Sequence, residues 1–148
     1  MLKYRKNTRS KCLAAGLLFT TALSTIALPS PAFAQYSVDQ AFDAYAWSGY
    51  NFCDAKMVGM LWNQGVSEGK TIIGNKILNG ISDDIPLILR DSRAANNACT
   101  WQDTGYDYDD AVALARIWNL GSVADAKWTV ALKMTNGNSY FVERALGR

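Results

Sequence analysis

Ala55, Val58, Gly59 and Trp62 recur at the three- and four-residue spacing of one helix face, and so do Ala111, Leu114, Ala115 and Trp118. Each run ends in Trp-Asn-x-Gly, where Gly65 and Gly121 suit a left-handed C-terminal cap. A second helical stripe follows each: Val66, Ile73 and Ile77 over residues 66–78, then Val123, Val130 and Met134 over residues 123–135. Asn79-Gly80 and Asn136-Gly137 stop these helices. Asn-Gly also marks hairpins, but the flanking period is near 3.6 rather than 2, so helix exit is the reading. A third helix starts near Asp84, with Pro86 tolerated in its first turn. Its apolar face is Ile85, Ile88, Leu89, Ser92, Ala95 and Cys99, which places Cys99 near its last turn. Residues 139–146 predict a shorter counterpart. Ahead of all these, Ser37 with Gln40 three residues on has the form of a capping box opening a short helix that ends at Ser48-Gly49.

The order of elements repeats because the sequence does. Residues 50–90 align with 106–147, with Ser122 as one extra residue, and 13 of 41 positions are identical. The matches include Tyr50/Tyr106, Asp54/Asp110, Trp62/Trp118, Lys70/Lys127, Asn79/Asn136 and Gly80/Gly137. The expected fold is all-α: about seven short helices built from a duplicated helical-hairpin unit. Trp62 and Trp118, on the core stripes, are expected to be buried. Asp54 and Asp110 are expected to cap their helices, with Lys70 and Lys127 pairing to them across each hairpin as structural contacts.

The beginning of the chain has another character. Lys3, Arg5, Lys6, Arg9 and Lys11 precede the mostly apolar run 12–28, followed by Pro29, Pro31 and Ala32-Phe33-Ala34. That is the form of a secretory signal with cleavage after Ala34. The run is short for a membrane span, carries four Ser or Thr residues and ends at prolines, so no stable anchor is expected after cleavage. The expected organisation is therefore a signal peptide over 1–34 and one helical domain over 35–148. The whole chain has 15 Lys+Arg against 13 Asp+Glu, and the signal takes five bases and no acids. The mature chain is left with a net charge of −3 and no basic cluster. Nucleic acid, which needs clustered cationic charge against phosphate, is disfavoured as a partner.

Two cysteines remain after the signal, Cys53 and Cys99. In an exported chain an even count reads as a disulfide, and a loop of this length contributes about 4 kcal/mol in the chain-entropy account. The chain has no His, so Ser-His-Asp and Cys-His nucleophile systems have no base. No glycine-rich phosphate loop is present, no metal ligand set or cofactor motif is found, and no catalytic residue is assigned. The acidic group Asp103, Asp107, Asp109 and Asp110 lacks the Gly and Glu of a calcium loop in either register. It reads as carboxylates gathered at a helix N-terminus.

Aromatic residues cluster at two junctions: Phe42, Tyr45, Trp47, Tyr50 and Phe52, then Trp101, Tyr106 and Tyr108. They are expected to pack between helices, with Trp101 and Trp128 left as the rings open to solvent. Trp128 and Leu132 carry the more informative signal. Each is two residues from Val130, about 200° around the helix, so they form a second apolar stripe behind the first. Their counterparts are Thr71 and Asn75. Something must cover the back of this helix; the expectation is the first helix or the C-terminal turn, and the alternative is a partner protein, a second subunit or a ligand. Trp128, Leu132 and Trp101 are the candidate binding surface.

Tyr50-Asn-Phe-Cys-Asp-Ala and Tyr106-Asp-Tyr-Asp-Asp-Ala, each followed by Trp, resemble small uncharacterised exported helical proteins of Gram-negative bacteria. The cysteine spacing is similar to that of HdeA-type periplasmic acid-stress chaperones. These resemblances imply export and a helical fold, and they bring no functional residue with them. The expected function is that of a non-enzymatic periplasmic or secreted binding protein. A small stress chaperone and a carboxylate-dependent hydrolase are the alternatives.

Overall fold

The computed structural model describes residues 36–148; the expected signal and its cleavage point lie outside the described residues. The described chain is helical, with no strand among the described residues. α1 spans Val38–Ala46, α2 Phe52–Leu61, α3 Val66–Leu78 and α4 Asp84–Ala94. A 3-10 turn at Trp101–Asp103 leads into α5 at Tyr108–Ile117, α6 at Val123–Thr135 and α7 at Ser139–Leu146.

Local chemistry sets most of these boundaries. The Ser37 hydroxyl accepts from the Gln40 N–H, and the Gln40 side chain accepts from the Ser37 N–H, so α1 opens on the expected capping box. α2 and α5 open in the same way. Asn51 and Asp54 each accept from the other's backbone N–H, and so do Asp107 and Asp110. The caps are therefore Asn51 and Asp107. Asp54 and Asp110 are not caps, as expected from sequence, but third residues whose carboxylates close the box from inside the first turn.

Asparagine, not glycine, turns the chain after α2 and α5. Asn63 and Asn119 adopt φ of 55° and 52°, a region that their short polar side chains tolerate. The expected glycine caps are corrected: Gly65 is extended at φ −79° and is the N-cap of α3. α3 and α6 end as the Asn-Gly pairs imply. The Asn79 and Asn136 amides donate to the Asn75 and Leu132 carbonyls, and Gly80 and Gly137 turn left-handed.

α3 lies between α1 and α2, and glycine sets both approaches. A Cβ at Gly69 would stand 1.9 Å from the Ala55 carbonyl oxygen on α2, and one at Gly74 would stand 1.9 Å from the Ala41 carbonyl oxygen on α1. The aligned residues on α6 are Ala126 and Ala131, both buried. Their methyl groups keep neighbours of α6 from approaching so closely. α4 packs on α2 through Ile85 and Leu89, and α7 packs on α5 and α6 through Val142. Met57, Val58, Ile73, Ile85, Leu114, Val130 and Val142 are fully buried and make the centre of the core.

The Cys53–Cys99 disulfide is present. Its second cysteine is not in the last turn of α4, as the stripe implied. α4 ends at Ala94, Asn96 turns left-handed at φ 61°, and Cys99 follows in non-helical chain. Its N–H donates to the Thr135 hydroxyl, which fixes that segment against α6.

The expected burial of both repeated tryptophans fails. Trp62 is 46% exposed and Trp118 half-buried. Each is the C-cap of its helix, where the chain turns away at the following Asn, so helical periodicity no longer predicts the facing of the side chain. Ala55, Val58 and Gly59, and Ala111, Leu114 and Ala115, are buried as their stripe requires.

Candidate functional site

The back of α6 is open. Trp128 is 67% and Leu132 44% exposed, so the intramolecular cover expected from the first helix or the C-terminal turn does not form. The reason lies in what each aligned stretch has for a neighbour. In the first, α1 crosses α3 at Ala41–Gly74, and Thr71, the counterpart of Trp128, lines the groove between them with Val38 and Phe42. In the second, the residues aligned with α1 are the non-helical chain leading to the Trp101 turn. The ends of α3 and α6 are nevertheless held at matched positions, from just before α1 in the first stretch and from the last turn of α4 in the second. The Tyr36 hydroxyl donates to the Leu78 carbonyl at 3.0 Å, and the Arg93 guanidinium donates to the aligned Thr135 carbonyl at 2.8 Å. Ala131 and Thr135 are buried, while Trp128 and Leu132, one helical turn apart on the same flank, stand in water.

Trp101 does not join this surface. It is half-buried, packs against the core, and stands 6.5 Å from the Tyr106 ring, so the three-residue candidate reduces to Trp128 and Leu132.

The repeated lysines have a different role from the ion pairs expected of them. The Lys70 ammonium lies 5.4, 5.6 and 6.0 Å from the ring centroids of Tyr45, Phe52 and Phe42. Lys127 lies 5.0 and 5.5 Å from Tyr108 and Trp101. Phe52 aligns with Tyr108, and Tyr45 with Trp101 when the alignment is carried upstream, so the same cation–π cluster forms at matched positions. Such contacts contribute about 0.5–2 kcal/mol each, more where water is excluded. Asp54 and Asp110 do not pair with these lysines; their carboxylates close the capping boxes. Asp110 also holds Arg148 at 2.7 Å.

Burial holds the Asp54 carboxyl above the ordinary range, against the opposing pull of the Asn51 N–H and of Arg93. Burial, with Asp54 beside it, pushes the Tyr45 hydroxyl up to about 12. Tyr106 is also raised, by burial and by its hydrogen bond to Glu143. These are structural groups: Asp54 is closed inside the start of α2 and meets no nucleophile. Three carboxylates of the acidic group are engaged separately. Asp103 holds Lys56 at 2.6 Å and accepts from Thr100, Asp107 caps α5, and Asp110 closes its box. Among the described residues no three potential metal-ligating side chains come together.

Sequence reasoning placed Trp47 in the packing between the first two helices. It is instead 91% exposed, the most open large apolar side chain described, at the C-cap of α1. It stands over a groove of about 450 Å³ with Tyr50, Ile77 and Ser82 in its walls. Its position just beyond the last helical residue was the signal available in the sequence, as with Trp62. Comparison with protein-family models, curated proteins and solved structures returned no match.

Proposed function

We propose that the mature chain is an exported, non-enzymatic binding protein, built on a duplicated helical pair, and that the outer face of α6 receives a partner protein. The observation that carries this reading is the exposure of Trp128 and Leu132 where the aligned residues of the first stretch are Thr71 and Asn75. A large ring beside an aliphatic residue on a rigid helix is the usual form of an interface anchor. The disulfide fits an oxidising compartment, and no helix among the described residues is long and apolar enough to cross a membrane. The acid-chaperone alternative rests on carboxylates at helix starts losing stabilisation in acid. Asp103 titrates in that sense but Asp54 in the opposite one, so the carboxylates at helix starts do not act together.

The test places a photo-crosslinking amino acid at position 128 and, separately, at position 71, in cells expressing the full chain. Discrete adducts from position 128 and none from position 71 are expected. Trp128→Ala should abolish association with the crosslinked protein while leaving the unfolding midpoint within experimental error. Equal labelling from both positions, or a large stability loss in Trp128→Ala, would assign the face to packing and overturn the reading.

A further inference from the structure

We propose that the groove between the end of α1 and the start of α4 binds a small organic cation, an ammonium or quaternary ammonium group. The Trp47 ring stands open to solvent at one side, and Tyr50 forms the wall beside it. Ile77 and Ser82 also line it, and Asp83 follows Ser82 at the N-cap of α4. Two aromatic rings next to an uncommitted carboxylate offer what a cation seeks: negative ring faces and a negative field in a partly dry recess. A volume of about 450 Å³ lies within the range of small-molecule sites.

The charges around the groove agree. Burial raises the pKa of the Tyr50 hydroxyl, and Asp54 on α2 and Asp83 at the N-cap of α4 add to it. Arg93 faces Asp54 and offsets it. On the α3 side, Lys76 is neutralised by Asp84 at 2.8 Å. Asp83 has no ion-pair partner among the described residues. An anion would meet repulsion here.

The protein itself shows that this chemistry suits its fold. Lys70, Lys127 and Lys133 each place an ammonium over two or three rings at 5.0–6.0 Å. Among the described residues no such side chain lies over Trp47 or Tyr50, so this pair of rings lacks a cation from the chain. The aligned stretch shows what closing the groove looks like. There the counterpart of Trp47 is Asp103, held by Lys56, and the counterpart of Tyr50 is Tyr106, whose hydroxyl donates to Glu143 on α7. Pro86 stands where Glu143 would be. No described residue accepts a hydrogen bond from the Tyr50 hydroxyl. The second stretch has satisfied both positions internally; the first has left both toward the groove.

The test is a titration of the disulfide-bonded mature protein, read by two-dimensional NMR of the indole and backbone N–H signals. The probes are choline, Nα-acetyl-lysine amide, and 3,3-dimethylbutanol as the uncharged isostere of choline. Saturable shifts of the Trp47 indole and the Ser82 amide are expected with a cationic probe and not with the isostere. The tighter of the two cations tells a quaternary headgroup from a lysine side chain. Trp47→Ala should weaken binding roughly tenfold or more, consistent with a cation–π contact in a partly desolvated site, and Asp83→Asn should weaken it several-fold. Trp128→Ala should leave the titration unchanged, so the outcome is independent of the α6 reading. Equal shifts with the neutral isostere, or no saturable shift with either cation, would overturn the proposal. Trp47 is a surface residue, so its removal leaves the fold available for the measurement.

Discussion

Replacing Gly69 or Gly74 by alanine sets two effects of opposite sign against each other, and the geometry decides between them. Alanine is favoured over glycine inside a helix by about 1 kcal/mol. The aligned residues Ala126 and Ala131 suggest that α3 would accept the change. The structure says otherwise. At both sites the new methyl would lie 1.9 Å from a backbone carbonyl oxygen, of Ala55 and of Ala41 respectively. No rotamer change can relieve a contact with backbone. Restoring an ordinary separation requires α3 to withdraw from its neighbour by roughly 1.5 Å, which opens the packing around Ile73 and Val58. Overpacking of this kind costs about 1–3 kcal/mol, and more where backbone must move. Net destabilisation of about 1–2 kcal/mol is expected for each variant after the propensity gain. With a denaturant slope of about 1–3 kcal/mol per molar urea for a chain of this size, the midpoint should fall by roughly 0.5–1 M. Circular dichroism at equilibrium in urea measures it. The reverse changes, Ala126→Gly and Ala131→Gly, meet no clash and should lose only about 1 kcal/mol. A Gly69→Ala protein as stable as the parent, or more so, would show that the helices separate freely and would refute the close-approach argument.

Two further measurements check other parts of the account. Intact mass of protein recovered from an exporting cell should correspond to a chain starting at Gln35 with no titratable thiol; a retained leader or two free thiols would reject export with the Cys53–Cys99 bond. Stability against pH should separate two carboxylates by sign. Burial pushes Asp103 up, but hydrogen bonds from Lys56 and Thr100 outweigh it and hold the group below the ordinary range. Its stabilising contribution is therefore present above the unfolded carboxylate pKa and is lost as pH falls through the lower folded value. Lys56→Met should lower the urea midpoint at pH 7 and change it little at pH 2. Asp54 is raised, so its ionisation works against folding as pH rises from the unfolded value through the folded one. Asp54→Asn should flatten that part of the profile, and a profile unchanged from the parent would show that the carboxyl is not desolvated as its burial implies.

Much of the architecture was legible because the signals were local. Ser37 with Gln40, the Asn-Gly exits and the stripes of 66–78 and 123–135 each depend on residues within a few positions of one another, and all appear where the pattern put them. Errors gathered at helix ends. Trp47, Trp62 and Trp118 are C-caps, and Cys99 lies past a left-handed Asn, so in each case a helical period was extended beyond the residue where the helix stops. Lys70 and Lys127 were misread for a different cause. Charge in sequence suggests charge as partner, whereas the groups that hold them are rings of the elements preceding α3 and α6.

The open face of α6 was legible as a stripe but not as a surface, because its exposure depends on an element outside the alignment. α1 covers α3, and glycine at position 74 is what lets it sit there. In the second stretch Ala131 carries a methyl at that position, and the segment aligned with α1 is non-helical over 97–100 and held to α6 by the Cys99 N–H on the Thr135 hydroxyl. The disulfide belongs to this difference, since it pins the same segment to the start of α2. A helix there would screen the flank of Trp128; with a pinned non-helical segment in its place, Ala131 and Thr135 are buried and Trp128 stays open. The two stretches thus diverge in complementary ways. The first keeps small residues inside, gains a covering helix, and opens a groove at that helix's end. The second fills those positions with alanine, satisfies its groove with Glu143 and Lys56, and turns its large apolar side chains outward on α6. The open groove and the open face of α6 thus both go with the presence of a helix in one stretch and a tethered segment in the other, and placing glycine at position 131 alone should not close the α6 face while the disulfide holds that segment in place.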